Sequence, residues 1–134
     1  MNILFFLKPK EEVEYLEIDF TIRQALEKID NHGYSAIPVL DLDGCYVDTI
    51  SDGDILMYIK NHGDLNLKKV EDISIKEINI RRSNKSIKID SNMEDLLDLS
   101  LNQNFIPVVD DLNHFIGIIT RKDIIKYFYE KNGL

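Results

Sequence analysis

The sequence predicts an α/β (α+β) domain built from two copies of one βαββα unit, and three observations carry that prediction. The segment Ile106-Pro107-Val108-Val109-Asp110 has an earlier counterpart in Ile37-Pro38-Val39-Leu40-Asp41. A constant offset of 69 residues carries Pro107, Asp110, Thr120 and Asp123 onto Pro38, Asp41, Ser51 and Asp54 without a gap. In each copy a stretch of helical periodicity is followed by two short apolar runs around a polar turn, and then by a second helical stretch. At 134 residues, 44% of them hydrophobic, the chain is long enough for one core and too short for two unrelated ones. Repeats of this kind stack to bury what neither buries alone.

The elements follow in chain order. Residues 7–10, with Pro9, read as an irregular lead-in, and residues 13–18 alternate as a short edge strand does. Thr21 is the expected N-cap of a first helix, whose Ile22, Ala25, Leu26 and Ile29 share one face and which stops at Gly33. Residues 36–40 form an apolar strand, 41–44 a turn, and 45–50 the returning strand. Ser51 caps a second helix carrying Ile55, Leu56, Tyr58 and Ile59, expected to stop at His62-Gly63. In the second copy the entry strand is 86–89, the first helix runs from Asn92 to about Leu101, and 105–109, 115–119 and 121–131 complete the unit. Its first helix is shorter by two residues, because Leu96-Leu97 align with Ala25-Leu26 only at an offset of 71. The resulting division is 1–63 for the first copy with its lead-in, 64–82 for a connector along the surface, and 83–134 for the second copy.

A formal charge of -8 argues against nucleic acid or an anionic membrane surface as partner, since both demand basic patches. The apolar start, Met1 to Leu7, lacks a basic leader and is too short for a signal peptide or a membrane span. A single cysteine, Cys45, forms no internal disulfide, which fits a cytoplasmic protein. The final helix is apolar at Ile124, Ile125, Tyr127, Phe128 and Tyr129, wider than one core face needs, and this predicts a homodimer contact.

Three stretches together carry a family resemblance: Gly33-Tyr34-Ser35-Ala36-Ile37-Pro38-Val39-Leu40-Asp41 after the first helix, Ile106-Pro107-Val108-Val109-Asp110, and Gly117-Ile118-Ile119-Thr120-Arg121-Lys122-Asp123. Nearly the whole chain resembles a tandem pair of CBS motifs, the Bateman module, of the stand-alone kind. The resemblance implies two βαββα halves related by a pseudo-twofold axis. It also implies an adenosine-containing regulatory ligand, with AMP, ADP or ATP first and cyclic di-AMP or S-adenosylmethionine as alternatives, in clefts between the halves. No catalytic cofactor is implied. A downstream protein partner would read the occupancy.

The chemistry expected at this motif follows from its position. Thr120 ends a strand and opens a helix, whose free N–H groups favour an anion. Asp123, one turn later, presents two acceptor oxygens suited to the hydroxyls of a ribose, and the Thr120 hydroxyl can donate to sugar or phosphate. Arg121 and Lys122 offer countercharge, with Arg81, Arg82 and Lys85 as further sources. An adenine needs apolar walls and backbone hydrogen bonds, for which Ile119, Phe105-Ile106-Pro107 and Tyr34-Ser35-Ala36-Ile37 are the available segments. Ser51 and Asp54 are the first-copy equivalents. There Asp48 replaces the family's glycine, and Asp52-Gly53 replaces Arg121-Lys122, so an extra carboxylate repels phosphate and the two sites are expected to be unequal.

The competing explanation is structural, since Ser51-x-x-Asp54 and Thr120-x-x-Asp123 also have the form of a capping box, which would leave a ligand-free interaction module. Asp41-Leu42-Asp43-Gly44 reads as a hairpin turn in preference to a calcium loop, because Cys45 and Asp52 fall where a calcium loop needs oxygen ligands and a bidentate Glu. His32 and His62 read as helix-end residues, and His114 as solvent-facing in its turn. No nucleophile and general base can be assembled, so an enzyme is not expected.

Overall fold

The computed structural model describes residues 1–32 and 35–132, so the predicted stop at Gly33 lies outside the described residues. Both hairpins form where the repeat placed them. In the first copy β3 (Ala36–Leu40) pairs antiparallel with β4 (Tyr46–Ser51), and in the second β6 (Phe105–Val109) pairs with β7 (Phe115–Thr120). The registers match pair for pair: Ala36 lies opposite Ser51 as Phe105 lies opposite Thr120, and both ladders shift after the same valine, Val39 or Val108. The parallel entry strands are short, β2 (Leu16–Glu17) and β5 (Ile87–Lys88). They pair beyond Pro38 and Pro107, so the missing proline N–H leaves no gap in either ladder.

Each copy carries two helices, α1 (Ile22–His32) and α2 (Asp52–Gly63), then α3 (Met93–Ser100) and α4 (Arg121–Lys131). Thr21 caps α1 as predicted, and Asn92, expected as the first residue of its helix, caps α3. Thr21 Oγ1 accepts from Gln24 N at 3.2 Å while Thr21 N donates to Gln24 Oε1 at 2.8 Å, and Asn92 accepts from Asp95 N at 2.9 Å. Helix α2 stops at Gly63, where it was expected to stop, but the glycine does not supply the left-handed cap. The left-handed residue is Asp64, with φ 51°, and Gly63 is the last helical residue. A Cβ at 63 would come within 3.1 Å of Val70 Cγ1, a tight contact with a side chain of the connector.

The chain divides into two compact units, Glu14–Ser83 and Met1–Val13 with Asn84–Leu134. Two expectations change with that division. The connector was expected on the surface, yet Val70, Ile75 and Ile78 are buried with Leu16, Ile22, Ala25, Ile37, Val39, Ile50 and Ile55. It is zipped to the start of α1, with Ile22 N donating to Ile73 O and Ile75 N to Phe20 O, both at 2.9 Å. Val70, Ile75 and Ile78 are core residues supplied one at a time, with Leu67, Ile73 and Ile80 packed partly buried beside them.

The lead-in was assigned to the first copy, yet it packs in the second-copy unit. A short 3₁₀ turn, Ile3–Phe6, buries Ile3 and Phe6 against Ile87, Leu96, Ile106, Val108, Ile119 and Ile124. The strand β1 (Lys8–Pro9) then adds antiparallel to β7, with Lys8 opposite Ile118 and Pro9 opposite Gly117, giving the order β1-β7-β6-β5. The first-copy sheet has three strands, β2-β3-β4.

Gly117 is what admits β1. Its φ of +154° is unfavourable for an L side chain, and a Cβ there would collide with the Lys8 carbonyl oxygen and lie 2.9 Å from Leu7 Cδ1. Gly117→Ala is therefore expected to destabilise the protein by about 1–3 kcal/mol. Urea unfolding checks this, and an unchanged midpoint would show that β1 does not need the glycine.

Candidate functional site

The two Ser/Thr-x-x-Asp motifs occupy equivalent places at the strand-to-helix junction, yet their carboxylates do different things. In the first copy the capping box is complete: Ser51 Oγ accepts from Asp54 N at 3.0 Å, and Asp54 Oδ2 accepts from Ser51 N at 3.0 Å. The other oxygen, Oδ1, accepts from the backbone N–H of Arg81 at 3.2 Å. Asp54 is only 6% exposed, so both of its oxygens serve the protein. Nearby, Asp48 Oδ2 accepts from Ser83 Oγ at 2.9 Å. Segment 81–83 is thus tied to the first-copy motif by two aspartates.

In the second copy only half of the box forms. Thr120 Oγ1 accepts from Asp123 N at 3.2 Å, and among the described residues no hydrogen bond reaches the Asp123 carboxylate. Asp123 is half-buried and faces an open groove with Phe5, Lys8, Lys126, Tyr127 and Glu130, a space of about 310 Å³. The cap at the start of α4 does not depend on this carboxylate, which leaves its two acceptors available to a ligand.

The other predicted site residues are sorted by the fold. Arg121 points to the end of α3, where its Nε donates to Ser100 O at 2.7 Å, while its backbone N–H donates to Asn104 O at 2.9 Å. A guanidinium suits the negative end of a helix, and that use draws Arg121 away from the role of phosphate countercharge. Lys122 is exposed at the start of α4. Ile106, Ile119 and Ile37 have no exposed surface at all, so their side chains hold the sheets together and give a ligand no wall. Pro107 is buried, Phe105 and Ala36 are half-buried, and Ser35 is exposed with its carbonyl accepting from Asp52 N at 2.8 Å. Tyr34 lies outside the described residues. Arg82 is exposed, and Lys85 is clamped through its backbone by the buried Gln103, which accepts from Lys85 N at 2.8 Å and donates to Lys85 O at 2.9 Å.

Phe5, Lys8 and Lys126 line this groove and were not singled out in the sequence. Phe5 lies in the apolar start and Lys8 in the segment read as an irregular lead-in, and Lys126 was passed over although Asp123, Lys126, Tyr127 and Glu130 follow the spacing of one helix face. The turns are as bland as expected. Asp41 Oδ1 accepts from Asp43 N and Cys45 N at 2.9 Å each, the bonding of a hairpin turn. His114 is half-buried, in place of solvent-facing, with Nδ1 3.2 Å from Asp110 Oδ2. The Asp110 carboxyl is held below its ordinary range, first by the His114 backbone N–H.

The difference between the motifs has a measurable consequence. Asp54→Ala strands two backbone N–H groups and is expected to cost about 1–3 kcal/mol of stability. Asp123→Ala is expected to change stability by less than about 1 kcal/mol, the scale of a charge near a helix start. Urea unfolding of both variants tests this, and equal losses would contradict it.

With the geometry established, comparison with known proteins places the chain. The CBS domain family model matches residues 7–61 and 70–130. Inosine-5'-monophosphate dehydrogenase of Methanocaldococcus jannaschii is 30% identical over 110 residues, which cover 81% of this chain; the matched part spans 20% of that enzyme's length. Among solved structures, CbpB of Listeria monocytogenes in complex with c-di-AMP is similar with a TM-score of 0.84 and 27% identity, over 95% of this chain and 94% of that one. A hypothetical conserved protein of Geobacillus kaustophilus is similar with a TM-score of 0.87 and 26% identity, over 98% of both chains. With both copies matched, the chain belongs to the CBS domain family, as a tandem CBS pair.

Proposed function

We propose that this protein is a regulatory sensor without catalytic activity of its own, which binds an adenine nucleotide at the second-copy motif and transmits occupancy as a change of shape or rigidity. The observation that carries the reading is the Asp123 carboxylate, which has no hydrogen-bond partner among the described residues and opens on a groove beside a capped helix start. Free acceptors beside the positive end of a helix suit the sugar and phosphate of a nucleotide. Ligand binding would shift the protein toward whichever state binds more tightly, by no more than the difference in affinity.

Two ligand chemistries fit. AMP, ADP and ATP present both ribose hydroxyls to the two Asp123 oxygens. The complex of Listeria monocytogenes CbpB supports c-di-AMP, in which the 3' oxygen is esterified and only the 2' hydroxyl can donate. S-adenosylmethionine offers both hydroxyls but no phosphate.

The protein is proposed to work in the cytoplasm and to act through a protein partner. Among the described residues no helix is long and apolar enough to cross a membrane. A homodimer contact is proposed at the groove between α3 and α4, where Leu97, Leu101, Ile125 and Tyr129 are 39%, 76%, 59% and 56% exposed.

Calorimetric and thermal-shift titration with AMP, ADP, ATP, c-di-AMP and S-adenosylmethionine tests the reading. An adenine nucleotide at a hundred times its dissociation constant is expected to add about 2.7 kcal/mol of apparent stability, and Asp123→Ala to remove the effect. Absence of binding at millimolar concentration would leave a ligand-free interaction module.

A further inference from the structure

We infer that Phe5, Lys8 and Lys126 complete the seat around Asp123 and make it a site for a phosphorylated adenosine, in preference to adenosine itself or a cationic adenosyl compound. The inference rests on the nucleotide reading and adds which residues select the ligand.

Three features of the groove carry it. Lys8 is half-buried and Lys126 exposed, and among the described residues neither ammonium forms an ion pair or hydrogen bond. Asp123 and Glu130 balance the two lysines in formal charge, but neither lysine is engaged by them, so both ammonium groups are available to an anionic group of an occupant. Glu130, which also lines the groove, lies two turns beyond Asp123 on α4 and disfavours phosphate at that end. The phosphate is therefore placed toward Lys8, Lys126 and the first turn of α4, where the helix dipole adds to the lysine charges.

The third feature is aromatic. Phe5 is 64% exposed, yet its ring is held edge-on by Phe6 at 5.1 Å and 89°, and by Tyr127 at 5.1 Å and 67°. A large exposed ring fixed in this way is a platform for a planar base. The side chains of the groove thus supply one partner for each part of a nucleotide: Phe5 for the base, Asp123 for the ribose, and the lysines for phosphate. All of them belong to one compact unit, joined because β1 docks on β7.

The test uses two sets of variants of the full chain, each checked for folding by circular dichroism. The sequence contains no tryptophan, so Phe5→Trp places a single reporter in the groove. AMP or c-di-AMP is expected to change its fluorescence on binding, and a silent reporter while calorimetry registers binding would remove Phe5 from the site. Lys8→Met with Lys126→Met is expected to weaken AMP and c-di-AMP by at least about tenfold, the scale of a charge-assisted contact, and to leave the weaker binding of adenosine unchanged. Unchanged nucleotide affinity, or an equal loss for adenosine, would overturn the phosphate assignment while the nucleotide reading stood. If wild-type protein binds none of the three compounds, the nucleotide reading fails and this inference fails with it.

Discussion

Neither CBS repeat closes its own core, and that constraint organises the rest of the structure. A two-stranded hairpin with two helices leaves apolar surface uncovered, and each copy covers it with side chains from outside the repeat. The first-copy unit takes Val70, Ile75 and Ile78 from the connector, and the second-copy unit takes Ile3 and Phe6 from the N-terminus. How each incoming segment is fastened then decides what the motif beside it can do. At Gly117 the backbone approaches closely enough for β1 to pair, so the fastening is a strand ladder, and among the described residues no hydrogen bond engages the Asp123 carboxylate. At the equivalent position, Asp48 fastens the connector through Ser83, and Asp54 adds the Arg81 amide. One residue difference, glycine or aspartate, accompanies two bonding patterns of the same motif.

The capping-box explanation applies differently to the two copies. A complete reciprocal box is present in the first copy, where Asp54 is a structural residue. Among the described residues the second copy has the threonine half alone, so the shared geometry of the two helix starts does not account for an aspartate at 123. The inequality expected from the extra charge at Asp52 is supported on different grounds, since the first-copy carboxylate is already engaged by backbone amides.

Much of this was legible in the residues. The offset of 69 placed both hairpins in register, and Thr21, Ser51 and Thr120 cap the helices they precede. Local patterns are readable because caps, turns and strand alternation depend on neighbours in sequence. The connector and the lead-in were misread because their apolar residues have no regular period: each of Ile3, Phe6, Val70, Ile75 and Ile78 fills a gap in a distant surface. The same cause hid Phe5 and Lys8, whose relation to Asp123 exists only after β1 has paired with β7. Conversely, Ile37, Ile106 and Ile119 looked available to a ligand and are wholly used by the core.

The central claim is that one motif holds the fold and the other is open to a ligand. The most direct measurement is the stoichiometry of nucleotide binding per chain by calorimetry, on wild-type protein and on folded Asp54→Asn and Asp123→Asn variants. The account predicts no more than one nucleotide per chain, retained in Asp54→Asn and lost in Asp123→Asn. Two equivalent sites per chain, or loss of binding in Asp54→Asn alone, would contradict it.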